Sequence, residues 1–393
     1  MANEFNIRKG LILGTVSYSS NVTENRFLVY GSNNVIKYKT GVVFGLMDNV
    51  KRSIVINQEN DTAILSTGND NVFIGHLSGD KNTTGSCNTF YGSYAGCSNL
   101  TGSSNIFIGA CAGLNNNESN NIFVGLKSGY YNTTGCENLF IGYLSGYNNT
   151  FGDNNVFLGN NTAFSNTTGT YNTFIGNCVG VCNTTQSGNT FVGFLSGNEL
   201  QGQFNSFFGY GSGGSSGLPN TTSSYNTAIG ALAGSGIAYG SGQNTYVGAF
   251  SGYFDVSGTA SVMIGFCSGS CFSVCSTNTF VGAFSGGGNK YTCLNTFVGY
   301  QTGGPFNPIP NYQFSLNTQK CNVMLGHQAG YSSFYASNNT YIGFRSGYSG
   351  TQSSCNTFLG FCSGYKNCES YNCNLFVGFC AGGDSTCGST NIF

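Results

Sequence analysis

Cysteine is the residue type that offers this chain the most chemistry. There are 17 cysteines but only two histidines, His76 and His327. Protein zinc sites draw on cysteine and histidine at close spacing, commonly as Cys-x-x-Cys pairs, and no such pair occurs in the sequence. The sequence therefore predicts no metal site and no cofactor.

Two short strings look like catalytic motifs. Residues 213–217, Gly-Gly-Ser-Ser-Gly, fit the nucleophile-elbow pattern, and residues 209–214 fit Gly-x-Gly-x-x-Gly. Both motifs need a strand that leads into a helix, and neither string precedes a helical pattern. Because the chain has 61 glycines, such matches are expected by chance. We predict that the protein is not an enzyme.

A five-residue phrase, Asn-Thr-Phe-(Ile/Val)-Gly, dominates the chain from residue 71 onwards. The phrase or a close variant of it occurs eighteen times, mostly at a spacing of 17 residues, with some steps of 16 or 18 and two of 21 and 27. A fixed period in this range is typical of repeat proteins, in which each unit buries its apolar face on its neighbours. Representative repeat positions are Asn172, Phe174, Gly176, Asn189, Phe191, Gly193, Gly197, Asn295, Phe297 and Gly299.

The repeat predicts an all-β fold, a parallel β-solenoid (β-roll) of about 17 residues per rung. Each rung is interpreted as a strand, a glycine, a short second strand, a second glycine and a polar turn. Phe and Ile/Val are consecutive, so their side chains point to opposite faces of the strand. One column fills the interior, and the other leaves an apolar stripe too long for a soluble monomer. We therefore expect a homotrimer that covers the stripe. The asparagine column suits a turn and can bond from rung to rung.

The cysteines occupy fixed positions in this repeat. Some lie two residues after the motif glycine, as Cys362 and Cys380 do, and others lie five before it, as Cys355 and Cys373 do. One interpretation makes them small apolar filler. The alternative is that Cys355 with Cys373, and Cys362 with Cys380, stack at one rung spacing, within the Cα range of a disulfide. The sequence leaves both open.

Charge and composition exclude several classes of partner. Charged residues make up 7% of the chain, against roughly 25% in an average globular protein. A chain with so little charge is not expected to bind nucleic acid or to attach to an anionic membrane. No segment approaches the roughly 20 apolar residues of a membrane span, so no membrane insertion is expected. The first residues do not resemble an export signal. For a protein that behaves like a surface fibre, this favours a virion component assembled inside a host cell.

The chain divides into two parts. Residues 1–66 are predicted to form a small β domain that caps the repeat and attaches to a virion base or capsid protein, and residues 67–393 to form an 18-rung shaft. All four prolines fall in two insertions, near 210–225 and 303–320, which are expected to leave the solenoid as loops. Phe306, Tyr312 and Phe314 make the second loop a possible contact loop for a host surface receptor.

Phrases such as NTFIG (172–176), NTFVGFLSG (189–197) and NTFVGYQTG (295–303) resemble the head repeats of YadA-like trimeric autotransporter adhesins. They also resemble repeats in trimeric fibre proteins of phages and large DNA viruses. The resemblance covers residues 67–393 and implies a trimeric fibre on a virion surface or tail that serves host attachment. An ice-binding solenoid and a bacterial adhesin stalk are the alternatives. Because residues 391–393 begin another motif, we also expect the native polypeptide, or its assembly, to continue beyond residue 393.

Overall fold

The computed structural model describes most of the repeat region and short pieces of the segment before it. The described residues are 29–30, 36–37, 42–44, 53–58, 67–214, 222–236, 242–255, 258–270, 277–288, 292–304, 318–366, 372–384 and 389–392. These residues contain β-strands and turns and no helix.

Within these described ranges, twenty-two short strands follow one another. The first four are β1 (Val29–Tyr30), β2 (Ile36–Lys37), β3 (Val42–Phe44) and β4 (Ile54–Gln58). The repeat contributes β5 (Val72–Ile74), β6 (Thr89–Tyr91), β7 (Ile106–Ile108), β8 (Ile122–Val124), β9 (Leu139–Ile141), β10 (Val156–Leu158), β11 (Thr173–Ile175), β12 (Thr190–Val192) and β13 (Ser206–Phe208). It continues with β14 (Thr227–Ile229), β15 (Thr245–Val247), β16 (Val262–Ile264), β17 (Thr279–Val281), β18 (Thr296–Val298), β19 (Val323–Leu325), β20 (Thr340–Ile342), β21 (Thr357–Leu359) and β22 (Leu375–Val377).

Strands β4 to β22 form one parallel ladder in which each strand pairs with the next. The register is that of the sequence repeat: Phe174 pairs with Phe157 on one side and with Phe191 on the other. The ladder also continues across both long insertions, because β13 pairs with β14 and β18 pairs with β19. The predicted all-β parallel solenoid of about 17 residues per turn is confirmed.

The strands before the repeat pair differently. β1 pairs with β2, β2 with β3 and β3 with β4, all antiparallel, whereas β4 pairs in parallel with β5. Strand β4 thus connects an antiparallel meander to the solenoid ladder. That residues 1–66 act as a cap and attachment domain stays a prediction.

Each motif strand is followed by a position that only glycine can occupy. Gly142, directly after β9, has φ +139°, and a Cβ there would lie 2.1 Å from the carbonyl oxygen of Gly159 in the next rung. The residues that follow form a turn, in which the Ser145 N–H bonds to the Gly142 carbonyl at 3.4 Å. Leu144, between them, has φ +53°. The expected second strand in each rung is therefore wrong, because this left-handed backbone cannot extend a strand.

The core is a column of aromatic rings stacked along the solenoid. From Phe73 to Phe207, one phenylalanine per rung is buried and stacks on the next, with centroids 4.7 to 5.3 Å apart. Such contacts add about 0.5–1.5 kcal/mol per pair beyond area burial. The same column carries other buried side chains further on: Ala228, Tyr246, Met263, Met324 and Tyr341.

The asparagine that precedes each strand joins adjacent rungs. Asn172 is typical: its Oδ1 accepts the Asn189 backbone N–H at 3.0 Å, and its Nδ2 donates to the Gln186 carbonyl at 2.8 Å. Asn172 itself donates its N–H to Oδ1 of Asn155 at 3.0 Å. Buried backbone groups at the corner of each rung are satisfied in this way. At the one serine of the column, Ser261 Oγ accepts the Asn278 N–H at 3.2 Å.

A second, fully buried asparagine ladder runs through the first half of the repeat, seven residues after the motif glycine. Its members donate from Nδ2 to Oδ1 of the preceding rung, as Asn149 does to Asn132 at 2.7 Å. The last of these bonds is made by Asn166, whose own Oδ1 is buried without a partner, and both Oδ1 and Nδ2 of Asn183 in the next rung are buried without a hydrogen-bond partner. In the rung after that, the position is taken by the buried Leu200. The members are Asn82, Asn99, Asn116, Asn132, Asn149, Asn166 and Asn183.

Candidate functional site

The outward side of the motif strands is the candidate site, and we call it the strand face. It consists of the first and third residues of β5 to β22. In β11, Phe174 points into the core, while Thr173 and Ile175 face outwards and Ile175 is 37% exposed. The sequence repeat thus places one apolar column inside and one outside.

Large apolar residues are exposed on eleven of the eighteen strands of the strand face. At a strand spacing of about 4.8 Å, the face extends roughly 80 Å. Neither of its two columns contains a charged residue from β5 to β22. A surface of this length and composition is typical of an interface rather than of a free monomer surface. Its exposed large apolar members are Tyr91, Ile106, Ile108, Ile122, Ile141, Ile175, Phe208, Ile229, Ile264, Val323, Leu325, Ile342, Leu375 and Val377.

An exposed aromatic ladder lies directly after the strand face in the later rungs. The rings of Tyr300, His327, Phe344, Phe361 and Phe379 each follow a motif glycine and stack with centroids 5.0 to 5.1 Å apart. Because the rings stack on one another, their edges rather than their faces are available along the shaft. The ladder adds apolar area beside the strand face.

Charge is sparse around this aromatic ladder. The Arg345 guanidinium lies 5.1 Å from the centre of the Phe344 ring and 5.3 Å from that of Tyr348. Lys366 and Asp384 form an exposed ion pair at 3.0 Å. Exposed pairs of this kind contribute little to stability, so packing rather than charge governs what this side of the molecule can bind.

Buried tyrosines replace phenylalanine at two core positions, and each has a polar partner. Tyr246 donates to the Asp255 carboxylate at 2.9 Å, and Tyr341 lies 3.1 Å from the Ser353 hydroxyl. Burial, followed by the nearby Asp255, raises the pKa of Tyr246 well above its ordinary value. Burial raises the pKa of Tyr341 to about 12. Both phenols are neutral structural groups with no access to a substrate.

The described cysteines lie mainly at the surface, on left-handed backbone. Cys355 and Cys373 are exposed with φ of 60° and 63°, and Cys362 and Cys380 have φ of 52° and 50°. The exposed thiols of Cys355, Cys373 and Cys380 do not fit the apolar-filler interpretation, whereas Cys362 is partly buried and Cys267, in the same column as Cys362, is buried. All five of these thiols are free, whereas Cys293 is disulfide-bonded.

Three other thiols show no activation as nucleophiles. Burial is the main cause that raises the pKa of Cys136, Cys182 and Cys267. A raised pKa keeps the sulfur in the less reactive thiol form. Within the described ranges, no group of three or more His, Cys, Asp or Glu side chains could hold a metal ion.

The structure places the other predicted site residues as follows. The repeat residues Asn189, Phe191, Asn295 and Phe297 are buried in the rung corners and the core. His76 is exposed and packs edge-on against Tyr94 at 5.2 Å.

Two of the other predictions concern the insertions. The Gly-x-Gly-x-x-Gly string at 209–214 forms the turn after β13, and the residues that follow it lie outside the described part of the chain. The candidate contact loop, with Phe306, Tyr312 and Phe314, lies outside the described residues.

Sequence reasoning missed the second asparagine ladder and the exposed aromatic ladder. Both had a signal in the sequence, a recurrence at seven residues and at one residue after the motif glycine. The left-handed backbone two residues after the motif glycine had no such signal in the sequence, because residues as different as Lys127, Leu144 and Cys178 occupy this position.

Comparison with known proteins adds no assignment: no protein-family model matches the chain, and no curated protein matches it significantly. In the part of the chain that the structure describes, no helix has the length and apolar character to cross a bilayer.

Proposed function

We propose that this chain is a structural fibre protein of a virion surface or tail, and that three copies form a rigid shaft for host attachment. The observation that carries the proposal is the strand face, an uncharged surface whose third-residue column is apolar in every motif strand from β5 to β22. A partner must cover it along its whole length.

The partner with matching geometry is a second copy of the same chain. The strand face presents one apolar residue per strand, with strands about 4.8 Å apart. It stays in register only with a surface whose apolar residues have the same spacing. Copies that run in the same direction around a common axis meet through equivalent faces and close the assembly. Three such copies enclose three strand faces around one axis and leave the polar turns outside.

The size of the strand face is sufficient for a stable association. A strip roughly 80 Å long and about 10 Å wide covers on the order of 800 Å², which is the area that one partner contributes to a standard protein interface. In an assembly of this kind, residues 1–66 would attach the shaft to a virion base or capsid protein. The insertions near 210–225 and 303–320 would be available to a host receptor.

Charge reversal on the strand face tests the trimer. In the double variant Ile141→Lys/Ile175→Lys, two buried-interface positions receive ammonium groups, which do not tolerate an apolar environment. The matched control Leu144→Lys/Cys178→Lys adds the same charges in the same two rungs, at a column where Lys127 occurs naturally. We expect multi-angle light scattering to give three times 41.3 kDa for the native chain and the control, and 41.3 kDa for the strand-face variant. A native monomer would refute the trimer.

Location is tested separately from assembly. Mass spectrometry of purified virus particles should detect the chain as a stoichiometric component. Its absence from particles, together with secretion from a bacterial cell, would instead support the adhesin alternative.

One observation favours ice binding as a second candidate. Thr173, Thr190, Thr279, Thr296 and Thr357 begin their strands and share the strand face with the β-branched or aliphatic third residue. A flat row of hydroxyl and methyl groups is the surface such a function needs. Thermal hysteresis above that of a control protein would place this candidate first, whereas its absence leaves the fibre.

A further inference from the structure

Four thiols lie on two successive rungs, on both sides of the strand pair β21–β22. Cys355 and Cys373 precede the strands by the same number of residues, and Cys362 and Cys380 follow them likewise. The Cys373 N–H donates to the Ser354 carbonyl at 3.1 Å, and the Cys380 N–H donates to the Phe361 carbonyl at 2.8 Å. The ladder therefore holds both cysteine pairs in register.

The backbone directs the two side chains of each pair the same way. The φ angles are 60° and 63° for Cys355 and Cys373, and 52° and 50° for Cys362 and Cys380. Residues in register on adjacent strands have Cα atoms about 4.8 Å apart, inside the range of about 4.4–6.8 Å found in disulfides. Burial, followed by the nearby Cys380, raises the pKa of the Cys362 thiol.

We propose that each pair is an oxidation site that closes into a rung-to-rung disulfide, Cys355 with Cys373 and Cys362 with Cys380. The oxidant is a low-molecular-weight disulfide such as oxidised glutathione. One cysteine thiolate attacks it and forms a mixed disulfide, which releases one glutathione thiolate. The second cysteine thiolate then attacks the protein sulfur and releases the other. Two protein S–H bonds are replaced by one S–S bond, and the oxidant leaves as two thiols.

The cross-links would fasten the rung of β22 to the rung of β21. In a solenoid each rung contacts only its neighbours, so opening between two rungs is a local event. A disulfide between successive rungs prevents that opening at one place in the shaft and constrains the unfolded chain there. Oxidation would thus increase the resistance of this part of the shaft to unfolding.

The tryptic map of the chain allows a direct test. Cleavage after Lys320, Arg345 and Lys366 yields the peptides 321–345, 346–366 and 367–393. Cys355 and Cys362 are on the second peptide, and Cys373 and Cys380 are on the third. The full-length protein is incubated with oxidised glutathione, its remaining thiols are alkylated under denaturing conditions, and the digest is analysed by mass spectrometry.

We expect a linked 346–366/367–393 species that disappears on reduction and in the double variant Cys373→Ser/Cys380→Ser. Each single variant should keep the link through the other pair. Non-reducing electrophoresis should show a single-chain band, and hydrogen exchange at the Cys380 amide should be slower after oxidation. Persistence of the link in the double variant, multimer bands, or only glutathione adducts would overturn the proposal.

Cys321 and Cys355 supply the internal control. They share a column, but Asn338 occupies the rung between them, so their Cα atoms are about 9.6 Å apart, beyond the reach of a disulfide. The linked species 321–345/346–366 should therefore not form. If it forms as readily as the other, the pairing reflects general oxidation and the proposal is wrong.

Discussion

The asparagine ladder predicts a specific loss of stability when Asn172 is changed. In Asn172→Ala, the Asn189 N–H loses its acceptor and the Gln186 carbonyl loses its donor. Asn189 is fully buried, so its orphaned N–H should cost about 1–3 kcal/mol, and the second lost bond about 1 kcal/mol. The free energy of unfolding should fall by about 2–4 kcal/mol in total.

A serine variant separates the two hydrogen bonds. Ser261 occupies this column naturally and still accepts the N–H of the next rung. Asn172→Ser should therefore keep the first bond, lose the second and cost only about 1 kcal/mol. Asn177→Ala is the control, because Asn177 is exposed in the same rung and an alanine, Ala110, occupies its column in another rung.

Urea unfolding of the full chain measures the stability of the three variants, and hydrogen exchange locates the effect. The Asn189 amide should exchange much faster in Asn172→Ala than in the native chain, and nearly normally in Asn172→Ser. The reasoning fails if the alanine variant unfolds within about 0.5 kcal/mol of the native chain, the usual scatter of surface substitutions. It also fails if serine costs as much as alanine.

Three further predictions concern single positions in the core. Because the pKa of Tyr341 is raised from 10.0 to about 12, this tyrosine deprotonates at lower pH in the unfolded chain than in the folded one, and the free energy of unfolding should fall by about 3 kcal/mol between pH 10 and 12. Urea unfolding at several pH values should show that Tyr341→Phe removes this fall. The control Tyr335→Phe, at an exposed phenol, should not. Asn183→Leu should raise the unfolding free energy by about 1–3 kcal/mol by removing two orphaned buried atoms, whereas a lower urea midpoint would contradict the apolar character of that position. Ala163 has φ +51° and is buried, and its rung has the widest ring spacing of the stack, so Ala163→Gly should stabilise the chain by about 0.5–1 kcal/mol, against the usual sign of this change; a lower melting temperature would refute it.

Much of the fold was predictable because the same apolar and polar positions recur along the whole repeat. A phenylalanine and an aliphatic residue that alternate at a fixed period can bury only one column in a rung this narrow. The sequence alone therefore predicts an inside column, an outside column and an in-register parallel ladder. The asparagine at the corner was predictable for the same reason, since a polar residue that recurs beside a buried strand must satisfy the backbone there.

The backbone between the two glycines was decided by the tertiary structure. Leu144 and Cys178 favour extended or helical backbone in isolation, yet both adopt positive φ. Their N–H groups bond to carbonyls of the preceding rung, Leu126 and Asn160, and these inter-rung bonds offset the local strain. No residue type at that position indicates a positive φ, so the sequence predicted a short second strand, which is incorrect.

The orientation of the cysteine columns and the end of the second asparagine ladder were also decided by packing. The sequence does not tell whether a cysteine in a repeat column is core filler or surface, and the folded structure leaves Cys380 exposed but Cys267, in the same column, buried. Likewise, Asn183 resembles its predecessors in sequence, but the buried Leu200 in the next rung offers its Oδ1 no donor, and its Nδ2 makes no bond to the equally unpaired Oδ1 of Asn166. The sequence by itself determined which columns exist and their period, because burial follows alternation. Their direction and hydrogen bonding depend on neighbours 17 residues away, and only the folded stack brings those neighbours together.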